Sequence, residues 1–253
     1  MLYRQPLEED NEIKISSGSD SIDRAMFGGL PIGSFTLIEG PSGTGKSVLA
    51  QHLAFGALLG DLRVCYYVEN KSREDLVKQM ASLSLDVAAF LPEGRLSIYP
   101  LYEIYSVKDP GPVAFEKLQR HIGTLPPDVN FIIVDSLNAV VSRAKSQIIL
   151  TFFMKCKQEI CEGGKAVLFT LPTSSFDPAL LPQMDKLFDT HLSLHVEGTT
   201  VGLQLRPMKV MDIMKVRKAQ LRRQTSVYFE VDPELGRSMN MSLKVLPFYR
   251  FKA

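Results

Sequence analysis

Residues Gly40-Pro41-Ser42-Gly43-Thr44-Gly45-Lys46-Ser47 form the stretch that decides the fold. They match every fixed position of G-x-x-x-x-G-K-[ST], the phosphate loop. Gly43 and Gly45 let the backbone curl around an anion without a clash from a Cβ atom. The backbone N–H groups from Gly43 to Val48 then point at that anion from the start of a helix, where the helix dipole is positive. The stretch therefore predicts that residues 41–48 bind nucleotide phosphates.

Two side chains of the loop and one distant acid predict ATP bound with Mg²⁺. Lys46 adds a positive charge for the β- and γ-phosphates, and Ser47 offers a hydroxyl to Mg²⁺, an ion that keeps several of its waters. Asp135 follows the apolar run Phe131–Val134, and ligands of open α/β sheets sit at the carboxyl ends of the strands. We expect Asp135 to be the second acid on the Mg²⁺ side, acting through a water. The alternative role for Asp135 is a cap for residues 136–138.

The segments around the loop alternate between strand and helix patterns. Phe35–Glu39 is typical of a buried strand, and apolar residues from Val48 to Leu59 recur at helical spacing. Runs that are apolar throughout are typical of parallel sheets, which are buried on both faces. Further strands are predicted at 63–69, 96–99, 131–134 and 166–169. Further helices are predicted at 20–26, from Ser72 to Leu83, at 113–122, from Ile149 to Ile160, and from Asp177-Pro178 onward.

The last third of the chain changes to alternating apolar and polar residues, which is typical of antiparallel strands with one solvated face. Leu192, Leu194 and Val196 are predicted to point inward, with a turn at 197–199. A second hairpin is predicted from Val227 to Val245, with its turn at 232–236. The predicted fold class is therefore α/β, a mostly parallel central sheet with helices on both faces and C-terminal antiparallel hairpins. We expect one domain over 1–253, with residues 1–12 frayed.

Composition excludes several classes of protein. The chain has 253 residues, 45% hydrophobic and 23% charged, which is ordinary for a globular protein. Its net charge of +1 gives no bulk attraction to nucleic acid or anionic lipid. The three cysteines, Cys65, Cys156 and Cys161, lack metal-ligand spacing, and core packing is expected for Cys65 and Cys156. With no secretory leader and no run long enough for a bilayer, we expect a cytoplasmic protein whose membrane association comes through partners.

A second acid, Glu69, ends the strand that follows the phosphate-loop helix. Parallel strands bring their carboxyl ends to one edge, so Glu69 and Asp135 are expected to lie near the same nucleotide. Glu69 is therefore a candidate for accepting the proton of an attacking water. The alternative is a surface acid at a strand end.

These motifs together resemble the RecA/KaiC-type ATPases. Gly18–Ser34 follows the family pattern G-x-x-x-L-D-x-x-x-G-G-G-L-P-x-G-S, with Ile22 in place of Leu and Phe27 in place of the first Gly of the triplet. Val134-Asp135-Ser136-Leu137 is similar to the second nucleotide motif of the family. The resemblance implies a three-layer fold in which Glu69 activates the water. Clock members carry a second acid where this chain has Asn70, so the resemblance implies weak hydrolysis.

Within that family the chain most resembles the single-domain members from the archaellum, the archaeal motility apparatus. The phosphate-loop region, the overall length and the run Val231–Arg237 carry this resemblance. It implies an ATP-dependent homo-oligomeric ring, a hexamer, and as partners the motor ATPase FlaI and a membrane-associated ring scaffold. It also implies that Lys215 and Arg217, a K-x-R element, contact the γ-phosphate of a neighbouring subunit, for which the planar fork of Arg is suited. A solvated edge is the alternative for these cations.

Two other functions are compatible with the sequence. One is an active KaiC-like ATPase or autokinase, since Thr170, Thr173, Ser174 and Ser175 follow a predicted strand end and can face a γ-phosphate. The other is a DNA-recombination accessory ATPase. That use needs basic mobile loops, and the segment 170–177 contains no Lys or Arg.

Overall fold

The structure is a computed structural model that describes residues 13–173, 180–201, 204–217, 225–231 and 243–245. Its elements in chain order are β1 Lys14–Ile15, α1 Asp20–Ala25, β2 Leu30–Pro31, β3 Phe35–Glu39, α2 Lys46–Leu59, β4 Val64–Val68, α3 Arg73–Ser82, β5 Leu96–Pro100, α4 Gly111–Gly123, β6 Phe131–Asp135, α5 Asn138–Val141, α6 Ser146–Cys156, β7 Ala166–Leu171, α7 Leu181–Leu187, β8 Thr190–Val201, β9 Gln204–Lys215, β10 Thr225–Val231 and β11 Leu243–Val245.

Nine of these strands form one sheet in the order β11-β10-β9-β8-β3-β7-β6-β4-β5. The six strands from β8 to β5 run parallel, because each returns through a helical crossover. The remaining three strands, β9 to β11, are antiparallel to their neighbours. The predicted fold class is confirmed, a mostly parallel sheet extended at one edge by antiparallel strands.

Helices cover both faces of the sheet and divide the core into two clusters. One face packs Ile38, Tyr66 and Ile133 against α2 and α3, and the other packs Phe35, Tyr67 and Val134 against α4 and α6. Since successive strand residues point to opposite faces, strands covered on both sides must be apolar throughout. This requirement explains the continuous apolar runs at Val64–Val68 and Phe131–Val134, all of whose residues are buried.

The phosphate-loop helix α2 is buried on more than one side. It packs on the sheet and also beneath the two-stranded ribbon of β1 and β2. Gly56 makes this second contact possible, because a Cβ atom there would lie 1.9 Å from the backbone oxygen of Ser16. The ribbon is in turn tied to α1 through Asp23, which accepts hydrogen bonds from Ser17 N at 2.8 Å and Ser16 Oγ at 2.5 Å. Asp23 of the family pattern is thus a structural residue.

Phe27, the departure from the glycine triplet, keeps the backbone conformation that glycine favours. Its φ angle is +59°, in the left-handed region, and its side chain is half exposed. A bulky residue is rare there, so the position is strained.

Most predicted boundaries agree with the structure to within two residues, but three predictions were wrong. The predicted turn at 197–199 is strand, because β8 continues to Val201 with Glu197 opposite Met208. Val196 is 50% exposed rather than inward. Thr170, predicted to follow a strand end, lies inside β7. Pairing with β9 along almost the whole of β8 keeps polar residues in a strand where the sequence alone suggests a turn.

Several predicted features lie outside the described residues: the frayed segment 1–12, the helix start at Asp177-Pro178, Ser174, Ser175 and the turn at 232–236. Core packing of Cys65 and Cys156 is confirmed, and burial raises the pKa of the Cys65 thiol to about 12. Over the residues that the structure describes, no helix combines the length and the apolar character needed to cross a membrane.

Candidate functional site

The phosphate loop turns from the end of β3 into the start of α2. Gly45 is the residue before the helix and has a φ angle of +103°, a conformation that L side chains rarely adopt. Gly40 at the other end approaches β8 so closely that a Cβ atom would lie 2.1 Å from the oxygen of Leu194. Lys46 Nζ folds back and donates to the carbonyl oxygens of Gly40 at 2.7 Å and Pro41 at 2.8 Å. These two bonds link the start of the helix to the start of the loop, so the loop surrounds the site where phosphate oxygens would bind.

Asp135 joins the loop to the middle of the sheet. The carboxylate is 7% exposed and accepts hydrogen bonds from Ser47 Oγ at 2.9 Å, Thr170 Oγ1 at 2.5 Å and Tyr66 OH at 2.8 Å. Burial, and then the negative charge of Asp135, raises the pKa of Tyr66 well above its ordinary value. Three hydroxyls from α2, β7 and β4 therefore hold one carboxylate in a fixed orientation beside Ser47. These donors to the Asp135 carboxylate come from other elements and not from residues 136–138.

Glu69 lies beside Asp135, as expected from the neighbouring strands β4 and β6. The two are joined directly, since Glu69 N donates to Asp135 O at 2.9 Å. The side chain of Glu69 accepts from Ser136 Oγ at 2.7 Å and from Ala139 N at 2.9 Å. Asn70 follows with a φ angle of +60°, and Asn is one of the few residues that adopt this conformation readily.

These groups surround a pocket of about 420 Å³ at the carboxyl ends of the parallel strands. Lys209 of β9 lies on its antiparallel side, and Phe229 of β10 packs 3.3 Å from the position of a Cβ on Gly45. Sequence reasoning missed Lys209, Tyr66 and Asn138 because their strands and helix reach the loop only in the folded sheet. The lining residues are Ser42, Gly43, Gly45, Lys46, Ser47, Val48, Glu69, Asp135, Ser136, Asn138, Thr170, Pro172 and Lys209.

A model of the family described as "ATPase: KaiC" matches residues 15–235, which is most of the chain. This chain belongs to the KaiC ATPase family. The match begins at β1 and includes the phosphate loop, Glu69, Asp135, Lys215 and Arg217. All predicted site residues of this KaiC-family chain thus lie within the matched region.

Two FlaH proteins are similar to the chain along almost all of its length. The archaeal flagellar ATP-binding protein FlaH of Sulfolobus acidocaldarius is 29% identical over 234 residues, which are 92% of this chain and 96% of that protein. FlaH of Methanocaldococcus jannaschii is 27% identical over 223 residues, 88% of this chain and 93% of that protein. The predicted resemblance to archaellum members of the family is confirmed.

Solved structures support the fold independently. The crystal structure of flagellar accessory protein FlaH from Methanocaldococcus jannaschii has a TM-score of 0.75 at 23% identity, covering 94% of this chain and 100% of that one. A KaiC-like protein from Pyrococcus horikoshii has a TM-score of 0.71 at 18% identity, covering 93% and 100%. At such identities the likeness concerns the fold alone.

The two remaining predicted site residues of this KaiC-family chain, Lys215 and Arg217, lie far from the pocket. Lys215 ends β9 opposite His191, and its Nζ donates to the carbonyl oxygens of Phe188 at 2.8 Å and Asp185 at 3.2 Å. Arg217 donates to the oxygen of Gly33, just before β3 begins. Both cations therefore sit at the amino end of β3, whereas the pocket lies at its carboxyl end.

The oxygen atoms beside the loop are suitable ligands for a small hard cation. Ser47 Oγ and Asp135 Oδ1 are 2.9 Å apart, and both are oxygen ligands of the kind Mg²⁺ uses while it retains waters. Among the described residues no group of three His, Cys, Asp or Glu side chains is arranged to hold a metal alone. A cation here would therefore depend on phosphate oxygens and water for its remaining ligands. Burial lowers the pKa of Lys46, which the charge of Asp135 partly opposes.

Proposed function

We propose that this protein is an ATP-binding regulatory component of the archaellum. ATP with Mg²⁺ drives its assembly into a ring, a hexamer, that docks onto the motor ATPase FlaI inside a membrane-associated ring scaffold. Hydrolysis is weak or absent. The protein works in the cytoplasm, at the cytoplasmic face of the membrane through these partners.

One observation carries the proposal. The phosphate loop, Lys46 and the Ser47–Asp135 pair surround one pocket, in a chain whose similarity covers 96% of a protein named flagellar ATP-binding FlaH. Backbone N–H groups at a helix start bind phosphate without further chemistry, while the hydroxyl and carboxylate suit Mg²⁺. ATP is therefore the ligand that the pocket favours.

The position of Lys215 and Arg217 supports assembly through nucleotide. The five-residue strand β3 separates them from their own pocket by roughly 16 Å. A second subunit that turned the amino end of its β3 towards the pocket would bring its own Lys215 and Arg217 to the γ-phosphate. Arg is suited to this role because its planar fork contacts two oxygens at once.

The mass of the protein in solution, with and without Mg-ATP, tests the proposal. We expect a monomer without nucleotide and a ring with it, and capture of FlaI only in the second state. Lys46→Ala should lose assembly and capture together, while Lys155→Ala, an exposed lysine on α6, should keep both. Assembly or FlaI capture that persists in Lys46→Ala would contradict the proposal.

A true ATPase is the second candidate, because Glu69 lines the pocket next to Asp135. Phosphate release that is lost in Glu69→Gln would favour it. An autokinase is less well supported, since Thr170 is buried and already donates to Asp135. Thr173 is exposed and would be the residue to examine by mass spectrometry after incubation with ATP.

A further inference from the structure

Both carboxylate oxygens of Glu69 are engaged by donors that belong to the protein. Oε2 accepts from Ser136 Oγ at 2.7 Å and Oε1 accepts from Ala139 N at 2.9 Å. A carboxylate acts as a general base only when an oxygen reaches the proton it takes. Glu69 lines the pocket, and each of its carboxylate oxygens is held by one of these two bonds.

The bond to Ala139 gives Glu69 a structural role. Ala139 is the second residue of α5, and amides in the first turn of a helix have no partner within the helix. Glu69 supplies that partner, and its negative charge also suits the positive end of the helix. The carboxylate thus stabilises α5 as well as facing the pocket.

The two residues that donate hydrogen bonds to Glu69 are held in place by contacts outside the pocket. Arg143 Nε donates to Ala139 O at 2.6 Å, and the same guanidinium donates to Val107 O in the segment after β5. Ser136 directly follows Asp135, whose position is set by three hydroxyls. Neither donor can therefore move freely with Glu69, and together the two bonds limit how the carboxylate can turn within the pocket.

We propose that Ser136 restrains Glu69 and thereby keeps ATP hydrolysis slow. This inference rests on the proposed function and concerns the regulation of the same site. In hydrolysis the water oxygen bonds to the γ-phosphorus, the bond from the β–γ bridging oxygen breaks, ADP leaves with the electron pair, and Glu69 takes the water proton. Ser136 is a positioning residue in this scheme, since it acts only through Glu69.

Removing the Ser136 hydroxyl should speed hydrolysis. In Ser136→Ala, Oε2 is released while the bond to Ala139 keeps the side chain beside the pocket. We expect phosphate release to rise by about tenfold, less than the roughly 10²–10⁴-fold that a fully positioned general base contributes. Ser136→Thr keeps a hydroxyl and should stay slow. Ser142→Ala, which removes an exposed hydroxyl just after the same helix, is the matched control and should not change the rate.

A double variant ties the gain to Glu69. Ser136→Ala combined with Glu69→Gln should return to the slow rate, because the amide cannot take a proton. A gain that survives in the double variant would mean that the pocket has merely loosened, and would overturn the proposal. So would an unchanged or lower rate in Ser136→Ala.

The restraint can also be measured without nucleotide. Hydrogen exchange at the Ala139 amide should be slow in the natural protein and in Ser136→Ala, and roughly tenfold faster in Glu69→Ala. Fast exchange in the natural protein would show that Glu69 is not held, and the proposal would fail.

The two proposals fail differently. If calorimetry finds no ATP binding to the natural protein, the proposed function fails, whatever the exchange of Ala139 shows. If ATP binds normally to the natural protein and to Ser136→Ala but hydrolysis is not faster in the variant, only the restraint by Ser136 fails.

Discussion

The two ends of strand β3 hold their charged groups in opposite ways. The carboxyl end, which we call the pocket end, gathers charged and polar groups from α2, from β6 and from the residue after β4 around a pocket: Lys46, Ser47, Asp135 and Glu69. At the amino end, which we call the far end, Lys215 and Arg217 donate to carbonyl oxygens of their own chain.

Under the proposed function, the two ends would have different tasks, one within a subunit and one between subunits. A pocket end that gathers an anion loop and oxygen ligands can hold a nucleotide within one chain. In the proposed ring, the cations of the far end, which lie away from their own pocket, would meet the nucleotide of another chain. We therefore expect changes at the pocket end to alter binding, and changes at the far end to alter assembly.

The largest expected effect comes from Lys46→Ala. The variant removes the ammonium group that would bind the phosphates. Because hydrogen bonds to charged groups are strong, we expect its loss to weaken ATP binding roughly 100-fold. Calorimetric titration with Mg-ATP measures the loss, with Lys155→Ala as control. Normal affinity in Lys46→Ala would break the contrast between the two ends.

Acid should lower the free energy of unfolding through His52, a residue of the phosphate-loop helix α2. Burial lowers the pKa of His52 on α2 to about 4, against 6.5 in an unfolded chain. The unfolded state therefore takes up the proton first, so the contribution of His52 is present above pH 6.5 and is lost as the pH falls towards 4. Between pH 6.5 and 5 the loss amounts to roughly 2 kcal/mol in the free energy of unfolding.

Urea unfolding at pH 7 and pH 5 measures this effect. His52→Gln, which does not titrate, should show a smaller fall in stability between the two pH values than the natural protein. The pKa of His191, whose side chain contacts Glu39 and Asp185, is shifted in the opposite direction. Burial opposes its charge, but hydrogen bonds and charges from Glu39 and Asp185 outweigh burial and raise its pKa. If stability fell equally in the natural protein and in His52→Gln between pH 7 and pH 5, His52 would not be the cause.

Asp135→Asn should reduce the Mg²⁺-dependent part of ATP affinity by about tenfold. An amide is a poorer Mg²⁺ ligand than a carboxylate, and its N–H groups would face the hydroxyls of Ser47, Thr170 and Tyr66. Titrations with and without Mg²⁺ separate this effect from general destabilisation. Asp128→Asn, an exposed acid paired with Arg63, is the control. Equal losses with and without Mg²⁺ would argue against a metal role.

The smallest expected effect on binding comes from Lys215→Ala and Arg217→Ala. Each should change the ATP affinity of a single chain by less than about twofold, because screening leaves little interaction over that distance. Assembly with Mg-ATP should nevertheless be lost, as sedimentation would show. A variant that loses nucleotide affinity while still a monomer would place these cations in their own pocket.

The sequence by itself determined the phosphate loop, the order of strands and helices, and the two acids at strand ends. These features depend on local chemistry: glycines where φ is positive, as at Gly45, and apolar runs where strands are buried on both faces, as at Phe131–Val134. The helix predicted from Ser72 to Leu83 is observed as α3, and Ser72 Oγ caps it by accepting from Asp75 N at 3.1 Å.

Only the tertiary structure decided which groups meet. Lys209 reaches the pocket because β9 pairs with β8, Tyr66 reaches Asp135 because β4 lies beside β6, and Glu69 is held by Ser136 67 residues away. The same holds for β8, whose pairing with β9 extends the strand through residues that resemble a turn. The physical reason is that strand pairing and side-chain hydrogen bonds join residues far apart in the chain, and local patterns do not contain that information.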